Sequence, residues 1–298
     1  MKSAAPLILA LVLISFVSTT KATNDPITIL PISVARDRVM VPASLNGTNK
    51  LSFLLDTGYT MTMLHPELVE QLQLRRAGEI TIAGIAGEER AATYEGAVFQ
   101  LGEAKYAPRR VAAVRDGASR RRRDGILGSG LFRQFVVMID FQHARLTLFS
   151  PTNFHYSGPG EIIPLHFRRS STPTVSAVIN GTNGSPVRGE FEIDTGCDSG
   201  VCLGHDFITM NHLLNETETR GGGGKFGVGG SVKTRSGHLP DLQLGGAKIE
   251  KPQTDFFLEG SPVDPGLAGH IGIGALRRFK VIFDYSRQRM ILERPEQQ

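Results

Sequence analysis

Asp-Thr-Gly ends an apolar run twice in this 298-residue chain, as Phe53-Leu54-Leu55-Asp56-Thr57-Gly58 and as Phe191-Glu192-Ile193-Asp194-Thr195-Gly196. Ordinary composition gives one such triplet in roughly one of twenty chains of this length, and two far more rarely. Each run predicts a strand that delivers its aspartate to a glycine-bearing turn. Two carboxylates on matching strand-turn elements suit one task, a pair that shares a proton and activates water.

The likeness between the two halves extends past the triplets. Asn46-Gly47-Thr48-Asn49 is matched by Asn180-Gly181-Thr182-Asn183, and Gly84-Ile85-Ala86-Gly87 by Gly227-Val228-Gly229-Gly230. Phe99-Gln100-Leu101-Gly102 is matched by Leu242-Gln243-Leu244-Gly245, and Leu127-Gly128-Ser129-Gly130 by Ile271-Gly272-Ile273-Gly274. The order is kept while the offset drifts only from 134 to 144 residues. A long-period repeat of this kind predicts one fold duplicated and fused. The boundaries it predicts are a first lobe over 23–150, a connection over 151–160 and a second lobe over 161–298. Short helices are expected over 66–74 and 205–214. Asn46-Gly47 and Asn180-Gly181 are expected to be hairpin turns, because both positions of a tight hairpin turn want positive φ. With Asn215-Glu216-Thr217 they also form glycosylation sequons if the chain passes through a eukaryotic secretory route.

Composition sets the class. Thirty-four Gly, 16 Pro and no Trp favour a turn-rich β chain over a helical bundle. Met1 to Ala22 reads as a secretory leader, with Lys2 ahead of an apolar stretch over 4–17 that is short for a membrane span. Cleavage after Ala22 leaves 31 basic against 29 acidic residues, too even a balance to suggest nucleic acid as partner. The mature protein is therefore expected to be exported, periplasmic or secreted, without stable membrane insertion. It is also expected to be monomeric, since both aspartates are in one chain. Cys197 and Cys202 are the only cysteines; two buried free thiols are favoured over a short-loop disulfide, and the fold does not depend on cross-links.

Hydrolysis by water needs a base to take its proton and an acid to polarise the carbonyl oxygen. Two carboxyl groups in contact cannot both ionise comfortably, so they divide into a charged and a neutral member. Gly58 and Gly196 let the backbone approach the pair closely. The hydroxyls of Thr57 and Thr195 are suited to tie the two loops together. In these motifs and their order the chain resembles aspartic peptidases of the pepsin and retropepsin superfamily, over roughly residues 27 to 294 in two copies. The resemblance implies an all-β fold of two similar barrel-like lobes around a cleft, with Asp56 and Asp194 meeting at its floor. It implies an endopeptidase acting on a peptide or protein substrate, with neither metal nor organic cofactor. Gly84, Ile85, Ala86 and Gly87, with Gly227, Val228, Gly229 and Gly230, then become two substrate-covering flaps, closer to the glycine-rich retroviral flap than to that of pepsin. Ile126-Leu127-Gly128, and less faithfully His270-Ile271-Gly272, become the elements packed beneath the catalytic loops.

The family places a small or hydroxyl residue after Asp-Thr-Gly, where this chain has Tyr59 and Cys197. Tyr59 must find room in the core or in the cleft, and the sequence leaves both open. An inactive relative that binds a peptide or glycan in the same cleft is the alternative function; a narrow processing enzyme for one partner protein is another. Gly221 to Gly224 and Lys225 lack the Ser or Thr of a phosphate-binding loop and read as a lead-in to the second flap. The run Arg120 to Arg123 reads as a solvated loop. Eight scattered His show no metallopeptidase spacing.

Overall fold

The computed structural model describes residues 24–295 apart from 36–37, 116–122, 169–171, 182–183, 215–218 and 260–265. The leader over 1–22, most of the arginine run and the Asn215 sequon lie outside them. The fold is all-β, with three sheets and a few one- to two-turn helices.

Strand formation follows side-chain alternation. Along Arg38–Leu45 every second residue is buried, and Val39, Val41 and Leu45 enter the main core. In Thr48–Leu55 the alternation gives way to Phe53-Leu54-Leu55, all buried. Phe53 and Leu55 join that core, while Leu54 faces the other way, into a separate apolar cluster with Met63, Ile82, Ala112 and Ile126. A strand buried on both faces at its end holds the following residue firmly. That residue is Asp56.

The duplication read from the sequence is present in the topology. In the first half the strand order runs Arg75–Gly84, Gly87–Glu95, Val111–Ala113, Met63–Leu64, Gly125–Leu127, Thr48–Leu55, Arg38–Leu45, Phe99–Leu101, Ala104–Tyr106. The second half repeats it as Arg220–Gly227, Gly230–His238, Gln253–Phe257, Val201–Leu203, Gly269–Gly272, Pro186–Asp194, Thr172–Asn180, Asp241–Leu244, Ala247–Glu250. In each, the strand that leads to the aspartate lies between an antiparallel hairpin partner and a short parallel strand, Gly125–Leu127 or Gly269–Gly272.

A third sheet joins the halves. Its six strands run Thr28–Pro31, Arg145–Phe149, Val136–Asp140, Lys280–Asp284, Arg289–Glu293, Glu161–Pro164. The central pair is antiparallel, with Met138 opposite Ile282 and Val137 opposite Phe283. The segment between Phe149 and Glu161 holds no strand and is fastened where the Tyr156 hydroxyl donates to Glu293 (2.7 Å).

Two local expectations need correction. Asn46-Gly47 makes a two-residue turn with φ of 46° and 83°. Asn180 does not; it ends its strand paired with Pro186, and beyond it Gly181 N–H donates to the Ser185 carbonyl (3.0 Å). Its side chain instead donates to Asp241 Oδ1 (2.7 Å), an anchor across to the next strand. The two expected helices are shorter, Pro66–Gln71 and His205–Met210, and two further ones occur at Ser129–Gln134 and Ile273–Leu276.

Candidate active site

The two Asp-Thr-Gly loops meet at the junction of the lobes and hold one another by four reciprocal hydrogen bonds. Thr57 N–H donates to Thr195 Oγ1 and Thr195 N–H to Thr57 Oγ1, both at 3.0 Å. The Thr57 hydroxyl donates to the Ile193 carbonyl (2.6 Å) and the Thr195 hydroxyl to the Leu55 carbonyl (2.9 Å). Both threonines are fully buried, so every donor and acceptor that water cannot reach is matched across the interface.

The carboxyls are placed with the same symmetry. Asp56 Oδ1 accepts from Gly58 N–H (2.9 Å) and Asp194 Oδ1 from Gly196 N–H (2.8 Å). Each glycine also faces the aspartate of the other loop. A Cβ at Gly58 would stand 2.9 Å from Asp194 Oδ1, and one at Gly196 only 2.0 Å from Asp56 Oδ2. No side chain fits at Gly196, which is the close backbone approach expected from the sequence. Beneath the loops, Asp56 N–H donates to the Leu127 carbonyl (3.0 Å), and Gly272 pairs with Asp194 across the parallel strands.

Charge breaks this symmetry. Burial and the neighbouring Asp194 carboxylate push Asp56 well above the usual carboxylate range, against a smaller opposing effect of Arg123. Burial also disfavours charge on Asp194, yet His270, together with the Gly196 N–H and Asp56, brings that carboxyl below the usual range. His270 Nδ1 lies 3.3 Å from Asp194 Oδ2, and His270 Nε2 lies 3.6 Å from Glu192 Oε2, too long for a hydrogen bond. Burial opposes the imidazolium as well, but Asp194, Cys197 and Glu192 together raise it well above an ordinary histidine.

The origin of this difference is a row of residues on the cleft-facing side of each sheet, in register across five strands. In the first lobe the row is Met40, Leu54, Ile126, Met63, Ala112. In the second it is Thr174, Glu192, His270, Cys202, Asp255. Cross-strand partners share a face and touch, so the row of the first lobe is apolar and that of the second is polar, with Glu192, His270, Cys202 and Asp255 ionisable. The polar row continues outward: Asp255 accepts from Ser236 Oγ (2.6 Å) and from Ser199, and pairs with Lys225 Nζ (2.9 Å). Lys225 also pairs with Asp198. In the sequence His270 stands out only as part of the element packed beneath the second loop, and Glu192 only as part of the strand before it. The signal available was the paired change from Leu54 and Ile126 to Glu192 and His270 between copies.

Both glycine-rich segments are hairpin tips, with Gly84 opposite Gly87 and Gly227 opposite Gly230. The tips meet, Ala86 N–H donating to the Val228 carbonyl (3.3 Å). Val228 packs into the apolar cluster of the first lobe, while Ile85 and Ala86 pack against Cys202, Val232 and Phe257 of the second. Gly84 and Gly229 have no room for a Cβ, which would come within 2.4 Å of Val228 and 2.5 Å of Gly87. Below the tips, on the first-lobe side, lies a cavity of about 460 Å³. Tyr59 lines it, together with Met63, Ile126, Phe226 and Arg123, so this tyrosine occupies the cleft wall and not the core. Cys197 and Cys202 are free thiols with sulfurs 3.1 Å apart. They do not share a strand, so side-chain alternation does not separate them. Among the described residues there is no cluster of three or more metal-ligating side chains, and no helix is long and apolar enough to cross a membrane.

Residues 41–131 match a family model described as aspartyl protease. No curated protein matches the chain. Among solved structures, the aspartic proteinase from Irpex lacteus aligns with 90% of this chain and 97% of its own, at 14% identity and a TM-score of 0.56. Over 41–131 the chain is therefore similar to aspartyl proteases, and as a whole it has the two-lobed fold of an aspartic proteinase, in keeping with a hydrolase.

Proposed function

We propose that the protein is an aspartic endopeptidase in which Asp56 and Asp194 together activate one water molecule. The observation that carries this is the convergence of the two carboxyls, each held by its own loop's Gly N–H and pressed by the glycine of the other loop. In the mono-protonated pair, the carboxylate takes a proton from water as its oxygen bonds to the scissile carbonyl carbon. The protonated partner donates to the carbonyl oxygen, and the amine leaves with a proton as the tetrahedral species collapses. An extended peptide lies between the floor and the hairpin tips as an added strand, with Gly84, Ile85, Ala86, Gly87, Gly227, Val228, Gly229 and Gly230 closing over it. The cavity beside Tyr59, walled by Met63 and Ile126, accepts an apolar side chain of the substrate.

The test is cleavage of a random peptide library between pH 3 and 7 by the protein and by Asp56→Asn. Cleavage lost in the variant, with the fold retained, supports the reading; no cleavage by the folded protein at any pH sinks it in favour of a binding module. The same reading takes the protein as an exported monomer of two lobes, 23–150 and 161–298, joined through 151–160. N-terminal sequencing of the exported form should begin at Thr23; a retained leader contradicts it.

A further inference from the structure

His270 is 7% exposed, and an ionisable ring so buried needs partners. They come from every element packed against it. Asp194 and Glu192 lie on the parallel strand Pro186–Asp194, at 3.3 and 3.6 Å from its two ring nitrogens. Cys202 faces it from the antiparallel strand Val201–Leu203, and Cys197 reaches it from the loop after Asp194. Tyr285 lies within electrostatic reach of Glu192 and of Asp56, and Lys225 and Asp255 stand one strand further along the row. Of these groups the two carboxylates are the nearest charges, so the ring is held as a cation. In the first lobe the equivalent place beside Asp56 is filled by Ile126, paired with Leu54.

We propose that His270 is a positioning residue that assigns the shared proton within the pair: the imidazolium holds Asp194 as the carboxylate, the base toward water, and leaves Asp56 as the protonated acid. This rests on the peptidase reading for its catalytic meaning, though the proton assignment itself is a property of the folded protein. In a symmetric pair either carboxyl can carry the charge, and a peptide bound in one direction finds the right tautomer only part of the time. A fixed cation at one side removes that ambiguity. Burial and Asp194 raise Asp56, while His270 lowers Asp194, in keeping with this order. An opposite charge at this distance typically lowers a carboxyl by about one to three pH units.

Two measurements test it. The first is the pH profile of kcat/KM for the wild type, for His270→Gln, and for the double variant Glu192→Leu with His270→Ile, which restores the apolar pair of the first lobe. The acid limb reports the first ionisation of the free pair. It is expected to rise by about one unit or more in both variants, and an acid limb unmoved in the folded double variant overturns the proposal. The second needs no turnover: NMR titration of ¹³C-labelled aspartate carboxyls, assigned by loss in Asp56→Asn and Asp194→Asn. Asp194 should ionise before Asp56 in the wild type, with the His270 ring still protonated at pH 7, and the interval should shrink in the double variant. A neutral ring at pH 7, or the reverse order, overturns it. If the wild type cuts no peptide yet shows the stated order, the proton assignment stands and the peptidase reading falls.

Discussion

The two lobes share a backbone plan and differ in what they point into the cleft. The first presents Leu54 and Ile126, the second Glu192 and His270, at the same two register positions beside the loop that carries the aspartate. Everything that builds the pair is common to both: the threonine exchange, the Gly N–H donors, the short parallel strand, the hairpin tips. What sets the charge of each carboxyl is not common. The same geometry, put beside an apolar wall or beside a buried cation, gives one aspartate that resists ionisation and another that ionises readily. Position and charge are therefore separable in this molecule, and substitutions can vary one without the other.

The largest effect expected is on the shared part. Asp56→Asn and Asp194→Asn should each lower kcat/KM by roughly 10²–10⁴-fold, the usual range for a lost proton-transfer group. Either variant retaining near wild-type turnover would break the claim that both lobes are needed. Next come the unshared residues. His270→Ile alone leaves Glu192 and Asp194 buried beside an apolar group, and should cost about 3–5 kcal/mol by denaturant unfolding. Adding Glu192→Leu should restore stability to the wild-type level or above, because buried ion pairs often lose to well-packed apolar replacements. A double variant weaker than the single would show that the polar row cannot be exchanged for the apolar one. Thr57→Val and Thr195→Val form a matched control. Each leaves one N–H and one carbonyl of the opposite loop unpartnered, so each should cost about 1–3 kcal/mol, and by similar amounts. A large difference between them would mean that the lobes differ in their grip as well as their charge.

The smallest effect is in the pH dependence of stability. The folded His270 is raised, so its contribution is complete below about pH 6.5 and is lost as pH rises through the raised value. The lowered Asp194 has the opposite sense: its contribution is present above about pH 3.9 and disappears as pH falls through its folded value. Asp56 is raised and favours folding most on the acid side. Thermal unfolding between pH 4 and 10 should therefore show a decline on the alkaline side that the Glu192→Leu, His270→Ile variant lacks. Parallel curves for the two proteins would count against a charged His270.

The aspartates, the glycines, the threonine ties and both hairpin tips were legible because each is a local pattern written twice. Repetition separates Gly84 and Gly227 from the other 32 of the 34 glycines. Glu192 was not legible, for a reason that lies in strand geometry. In Phe191-Glu192-Ile193 the alternation of apolar and acidic residues is what any half-exposed strand shows. Only the pairing with His270 and the placement of the second hairpin over that face make it interior. Lys225 was hidden similarly, since a lysine after four glycines gives no hint of Asp198, which approaches it from the loop after Asp194, or of Asp255, on the strand Gln253–Phe257. The second hairpin turn was misread because Asn180-Gly181 copies the letters of Asn46-Gly47, while the longer connection leaves Asn180 on its strand, opposite Pro186.

The seam between the lobes carries a consequence of its own. Met138 and Ile282, the partners at its middle, occupy corresponding places in the two copies, so the pseudo-two-fold axis passes between them. Two separate identical chains meeting on such an axis are bound to mirror every substitution: a histidine on one side implies a histidine on the other. Both carboxyls would then sit beside a cation, and neither would be singled out. A single covalent chain is released from that obligation. Residue by residue, its halves are free to become unlike while the axis, the strand order and the loop exchange still hold them in the arrangement of a symmetric pair.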